Sequence, residues 1–333
     1  MRRTTILFIA WLMIGAAVHA RPVVIAHRGA SGYLPEHTLA AAAYAHALGA
    51  DYIEQDLVMS RDDVLVVLHD VHLEMTTNVA AIFPDRARAD GRYYAIDFDW
   101  SEFQQLRANE RINVETGQRV YPDRFPIQPG PFRLCRLEEQ ITLIQGLNQS
   151  TERNVGIYPE IKSPSWHAEE GKDLSAALLP VLERFGYLKP GAPIFVQCFE
   201  ASELKRLRSK FKTNLPLIQL IGLDSWNHAN ADYDSMLTAA GLKQIATYAQ
   251  GIGPHLNQIL ASTTPTGTPI LTPLVAQAHR AGLLVHPYTF RTDELPEDVP
   301  DFDALVKVFI DTVAVDGLFT DHPDQIVNNL SAN

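Results

Sequence analysis

Val23–Leu57 reads VVIAHRGASGYLPEHTLAAAAYAHALGADYIEQDL. A β-branched run, Val23–Ala26, gives way to a glycine-containing turn, then to the alanine-rich periodic segment Thr38–Leu48, then to the run Tyr52–Leu57. Strand, helix and strand in that order predict two parallel strands joined by a crossover helix. The alternation continues outward. Further strands are predicted at Val155–Ile161, Ile194–Cys198, Leu217–Ile221, Ala249–Gly253, Leu283–Pro287 and Gly317–Thr320. Helices are predicted at Leu137–Leu147, Glu169–Phe185, Ser202–Phe211, Ser235–Thr247 and Thr272–Ala281. Eight strands separated mostly by helices predict an α/β fold, a (β/α)8 TIM barrel. A doubly wound sheet is the alternative, but its G-x-G-x-x-G fingerprint is absent. The interval Val71–Arg136 breaks the rhythm. It is too long for a barrel connection and rich in Arg, Asp, Tyr and Pro, so it reads as a cap inserted over one mouth.

The chain has 333 residues, 46% hydrophobic and 20% charged, with a mean hydropathy of -0.07. These values exclude a disordered chain, a collagen-like repeat and a polytopic membrane protein. A net charge of -11 without a basic run makes nucleic acid an unexpected partner.

Residues 1–20, MRRTTILFIAWLMIGAAVHA, have the order of a secretory signal: two arginines, an apolar stretch, and small residues at Val18 and Ala20. The stretch Ile6–Val18 is shorter than the ~20 residues of a membrane span. Position 21 is Arg rather than a lipid-bearing cysteine, so no stable membrane anchor is expected. Cleavage after Ala20 would leave 21–333 as the barrel domain and take the net charge from -11 to -13 through loss of Arg2 and Arg3. Cys135 and Cys198 are too few for a disulfide scaffold and are read as unpaired thiols.

In a barrel, chemistry sits at the C-terminal ends of strands. Those ends here read Ala26-His27-Arg28, Glu54-Gln55-Asp56, Glu160-Ile161-Lys162, Gln197-Cys198-Phe199, Gly253-Pro254-His255, His286-Pro287-Tyr288 and Thr320-Asp321. Residues two apart share a strand face. Tyr52, Glu54 and Asp56 should therefore point inward together, as should Glu160 with Lys162, Val23 and Ile25 with His27, and Leu65 and Val67 with His69. Gln55 falls on the outer face without an evident reason. Two carboxylates on one inward face repel each other unless something neutralises them. The residues leave two solutions open. One is a hard divalent cation, Ca²⁺ or Mg²⁺, bound by Glu54, Asp56 and Glu160; the other is a buried ion-pair network with Arg28 and Lys162. His27 and His69 each end an apolar run, where two imidazoles suit a general acid and a general base. His37, His255 and His286 also approach the mouth on this reading, with no assigned role. His46, His167, His228 and His279 lack clustered partners. Gly29-Ala30-Ser31-Gly32 departs from a nucleophile elbow and reads as a tight loop.

His27-Arg28-Gly29-Ala30, Pro35-Glu36-His37-Thr38, Glu54-Gln55-Asp56, His69-Asp70 and Pro159-Glu160-Ile161-Lys162 resemble, in order and spacing, the signature of the glycerophosphodiester phosphodiesterase family. HPYT (His286–Thr289) and GLFTD (Gly317–Asp321) extend the match over almost all of the mature chain. The sequence is most similar to the periplasmic, calcium-dependent bacterial branch, a long form with an insertion after His69. Many family members carry Asn where this chain has His37, a histidine the periplasmic branch shares. The resemblance implies a barrel of the phosphatidylinositol phospholipase C type. It implies metal ligands at Glu54, Asp56 and Glu160, catalytic histidines at His27 and His69, phosphate contacts from Arg28 and Lys162, and glycerol packing on Phe199.

The expected activity is metal-dependent hydrolysis of glycerophosphodiesters, such as glycerophosphocholine and glycerophosphoethanolamine, to sn-glycerol 3-phosphate and an alcohol. The partners are then small molecules, and a homodimer is compatible with this reading. Two competitors are weighed. A phospholipase acting on intact lipid needs an apolar rim that the charged Val71–Arg136 interval does not clearly supply. An exported phosphodiester-binding protein does not require two titrating histidines.

Overall fold

The structure, a computed structural model, describes residues 21–126, 130–226, 231–264, 268–297 and 299–332. The leader expected at 1–20 and His228 lie outside them. Eight parallel strands form the barrel: β1 (Val23–Ala26), β2 (Tyr52–Met59), β3 (Gly156–Ile161), β4 (Val196–Cys198), β5 (Leu217–Ile221), β6 (Gly251–Pro254), β7 (Leu284–Val285) and β8 (Gly317–Thr320). They are hydrogen-bonded in the order β7-β6-β5-β4-β3-β2-β1-β8. Bonds from Asp316 N to Val285 O (3.0 Å), Phe319 N to Pro287 O (3.1 Å) and Phe290 N to Phe319 O (2.8 Å) bring the cylinder to near closure.

A helix precedes each return to the sheet: α1 (Leu39–Ala47), α2 (Leu137–Thr151), α3 (Leu174–Arg184), α4 (Ala201–Ser209), α5 (Ala239–Ile245), α6 (Leu274–Arg280) and α7 (Phe302–Lys307), with α8 (Pro323–Ala332) after β8. Side-chain caps set the starts of α1, α3, α5 and α7. Thr38 Oγ1 accepts from Ala41 N at 3.1 Å at the head of α1. The helix expected at Glu169–Phe185 is two pieces, Pro164–Glu169 and α3, because Gly171 adopts a positive φ of 80° and Asp173 caps a fresh start. Ser235–Thr247 divides likewise, with Thr238 capping α5.

Strand parity sorts the side chains. Ile25, Tyr158, Ile218 and Phe319 form a buried cluster in the barrel interior, with Val23, Tyr52, Phe195 and Tyr288 packed against it. Their neighbours Val24, Ile53, Ile157, Val196, Leu217 and Ile252 face outward into the larger core under the helices. Gln55 is an exception explained by hydrogen bonding. It is buried, its Nε2 donates to Ile53 O at 2.8 Å and its Oε1 accepts from Tyr158 N at 3.1 Å, so its amide spans the seam between β2 and β3.

A short strand, Leu65–Val67, pairs antiparallel with the far end of β2. Leu65 and Val67 pack into the outer core rather than the barrel interior, so parity does not carry to His69 as expected. The long segment that follows, up to α2, has an apolar core of its own. Leu73, Val79, Phe98, Phe103 and Leu106 pack with Val58 and Val66. Much of its charge is paired, as in Arg86 with Glu102, Arg88 with Asp97 and Arg92 with Glu74.

Candidate active site

A cavity of about 400 Å³ opens at the C-terminal mouth of the barrel, and its lining includes all eight residues nominated from the sequence. β1 delivers His27 and Arg28, β2 delivers Glu54 and Asp56, β3 delivers Glu160 and Lys162, and β4 leads to Phe199. His69 arrives from the turn after Leu65–Val67.

The carboxylates are almost sealed from water: Glu54 and Asp56 are 1% exposed and Glu160 6%. Glu54 Oε2 accepts from Arg28 N at 2.6 Å. That backbone contact is possible because Arg28 turns through a positive φ of 57°. Asp56 Oδ2 accepts from His37 Nε2 at 2.8 Å and lies 3.4 Å from Arg28 Nε. Glu160 Oε1 pairs with Lys162 Nζ at 2.9 Å. Burial, then the Asp56 and Glu160 charges, hold Glu54 well above the ordinary carboxylate range. Glu160 is pushed up to about 8, chiefly by burial and by Asp56 against the pull of Lys162. Asp56, despite the same burial, is drawn well below by Lys162, His69 and His37.

Ion pairing and cation binding therefore coexist as possibilities in one place, and the orphaned atoms discriminate between them. Asp56 Oδ1 is buried without a hydrogen-bond partner, with Lys162 Nζ still 3.8 Å away. Two carboxyls that resist ionisation beside an unpartnered carboxylate oxygen fit a divalent cation, which takes the place of the protons they would otherwise hold. His37, Glu54 and Asp56 can bring one ligand atom each within 4.8 Å of one another. His37, expected at the mouth without a role, is buried behind Asp56 rather than lining the cavity.

Each histidine is oriented by a carboxylate. His27 Nδ1 lies 2.6 Å from Asp321 Oδ1, and His69 Nδ1 lies 2.8 Å from Asp70 Oδ1. A carboxylate on Nδ1 selects the tautomer that leaves Nε2 to exchange a proton. Burial first, then Arg28, lowers His27 to about 4. Burial, Arg28 and Lys162 lower His69 to about 3. Phe199 lies beside the cationic side, with Lys162 Nζ 5.7 Å from its ring centre.

Asp321, Asp70 and Glu36 were legible only as strand-end or motif residues, and Arg111, Arg124 and Arg291 around them were missed. Their partners lie far away in sequence. His286 is corrected: it sits below the mouth, its Nδ1 2.8 Å from Tyr158 Oη. His255 does reach the cavity. His46, His167 and His279 have local partners, Asn148, Met59 N and Asp316 respectively. Ser31 is buried with its hydroxyl donating to His27 O at 2.8 Å, a loop-fixing role. Cys135 and Cys198 are buried free thiols, as read. Among the described residues, no helix is long and apolar enough to cross a membrane.

A model of the Glycerophosphoryl diester phosphodiesterase family matches residues 27–325. The chain is 40% identical to a Glycerophosphodiester phosphodiesterase of Haemophilus influenzae, covering 94% of this chain and 90% of that one. It is 36% identical to the enzyme of the same name from Treponema pallidum, over 95% and 93%. A crystal structure from Silicibacter pomeroyi is similar with a TM-score of 0.70 at 26% identity, covering 94% and 95%.

Proposed function

The chain belongs to the glycerophosphoryl diester phosphodiesterase family and hydrolyses glycerophosphodiesters, and we propose that it does so with His27 and His69 as an acid–base pair beside a divalent cation. Glu54, Asp56 and Glu160 would hold the cation, with His37 fixing Asp56. All-oxygen ligation suits Ca²⁺, with Mg²⁺ the second candidate. When bound, the cation supplies positive charge to the phosphate oxygens.

Arg28 and Lys162 add positive charge where β1 and β3 end, which a chain of net charge -11 needs for an anionic substrate. Phe199 offers an apolar wall to the glycerol carbons. His27, held at Nδ1 by Asp321, gives a proton from Nε2 to the leaving alcohol oxygen. His69, held by Asp70, takes the proton of the nucleophile, either water or the substrate's own 2-hydroxyl. Burial is the main cause that depresses both imidazoles, and Arg28 adds to it on each; the phosphodiester anion offsets the Arg28 charge and so raises their basicity in the complex.

The observation that carries this reading is the pair of histidines in one cavity, each with Nδ1 held by its own aspartate. The test is turnover of glycerophosphocholine, read by coupling to glycerol 3-phosphate dehydrogenase, before and after exhaustive chelation. Activity should vanish and return with Ca²⁺ better than with Zn²⁺; full activity with no metal by elemental analysis overturns it. A nitrophenyl ester, whose leaving group needs no proton, should rescue His27→Ala and not His69→Ala.

The proposal extends to location. A leader at 1–20 cleaved after Ala20, with the rest of the chain in the periplasm, is supported by the order of charges and small residues in that segment. N-terminal sequencing of the periplasmic fraction should begin at Arg21; recovery of intact chain from the cytoplasm overturns this.

A further inference from the structure

Behind each histidine–aspartate pair stands an arginine from the long segment between Leu65–Val67 and α2. Arg111 is 9% exposed and Arg124 7%. Arg111 Nη1 donates to Asp70 Oδ2 at 2.7 Å. Its Nε and Nη2 donate to Glu36 at 3.0 and 2.6 Å, and Glu36 also accepts from Arg28 Nη1 at 3.1 Å. Arg124 Nη2 donates to Asp321 Oδ2 at 2.7 Å, while its Nε and Nη2 grip Asp293 at 2.7 and 2.9 Å. The Tyr121 ring covers the Arg124 guanidinium at 3.6 Å. Asp321 Oδ2 has a second donor, Arg291 Nε at 2.7 Å.

The geometry is the same on both sides. One carboxylate oxygen is taken by a guanidinium and the other is left for Nδ1. A carboxylate on its own rotates about its Cβ–Cγ bond; a planar fork with a second anchor fixes that rotation. Burying each arginine has a desolvation cost, offset only when its donors are paired. We propose that Arg111 and Arg124 are positioning residues for His69 and His27, which makes the long segment a working part of the active site rather than a cover. The inference rests on the reading of the two histidines as the acid–base pair. The two sides differ in one respect. Asp321 retains Arg291 when Arg124 is lost, whereas Asp70 is more exposed and depends on Arg111, which also ties in Glu36 and Arg28. Loss of Arg111 is expected to cost more.

The test measures kcat and KM on glycerophosphocholine at saturating metal for Arg111→Gln and Arg124→Gln, together with the downfield proton NMR signals of the imidazole Nδ1–H groups. His27→Ala and His69→Ala assign those signals. kcat should fall about 10–100-fold, by analogy with the loss of an outer partner that orients a metal-ligating histidine. It should fall further in Arg111→Gln than in Arg124→Gln, and by more than KM rises. Arg111→Gln should move the His69 signal alone and Arg124→Gln the His27 signal alone. Folded variants with kcat within about twofold of the parent and unmoved signals overturn the proposal; so does a lower melting temperature with neither readout changed. If a glutamine variant does not fold, Arg111→Lys and Arg124→Lys replace it, since they keep the charge and lose the fork, with the same deciding results. Normal turnover by His27→Ala and His69→Ala would instead sink the acid–base reading, while the NMR shifts would still report whether each arginine holds its histidine.

Discussion

On β1, Ile25 and His27 share a face and stand one pleat repeat apart, yet Ile25 is sealed in an aromatic cluster while His27 lines the cavity. β2 repeats the contrast with Tyr52 and Glu54, and β3 with Tyr158 and Glu160. The barrel interior thus has a floor and a mouth built from the same strands. Parity decides that both sets point inward. Height along the strand decides whether a residue meets other side chains or a ligand, and only there does a charge have something to neutralise it.

The contrast breaks most sharply if a mouth residue proves structural. Glu54→Gln should lower kcat/KM by about 10³-fold or more, the scale of a lost cation. Metal-free Glu54→Gln should unfold at the same or higher denaturant concentration than the metal-free parent, because burial and the Asp56 and Glu160 charges already hold this carboxyl above its usual range. A marked loss of stability would make Glu54 part of the scaffold. Next in size, His27→Ala should cost about 10²–10⁴ in kcat, the value of one positioned proton-transfer group. Its floor neighbour gives the converse. Ile25→Ala should cost about 2–5 kcal/mol in a urea melt and leave the kcat of the folded enzyme nearly unchanged.

The smallest expected effect sharpens the floor itself. Burial lowers His286 from 6.5 to about 4. Between those values the unfolded chain binds a proton that the folded chain does not, so stability rises with pH across that window and falls on acidification. His286→Asn should reduce the slope of unfolding free energy against pH by up to about 1.4 kcal/mol per pH unit there. An unchanged slope would mean that His286 is not held neutral.

His286 also shows where sequence stops informing. Its place on an inward face was legible; its height was not. Strands in a barrel are staggered, and β7 enters so that Leu284 aligns with Gly251. His286, the residue that follows β7, therefore lies beside Tyr158 in the floor. Glu54, Asp56, Glu160 and Lys162 were readable because β2 and β3 run in register, with Asp56 opposite Glu160. Asp321 was readable as a strand-end residue, since it directly follows β8. Arg124 was not: Asp321 is 197 residues away, and the segment between carries no periodicity that aims a guanidinium at it. The charge richness of the Val71–Arg136 interval, read as an inserted cap, concealed its buried Arg111 and Arg124.

The Gln55 amide between β2 and β3 has a consequence for how such a site can vary. A main-chain hydrogen bond has no genotype, so most of the cylinder cannot be retuned one residue at a time. At this seam a side chain carries part of the bonding, directly behind Glu54 and Asp56 and one strand from Glu160. A single codon thus contributes to how the strands bearing those carboxylates are joined, beside the main-chain register, which gives inheritance, or an engineer, a way to adjust the bite of the site without touching a ligand.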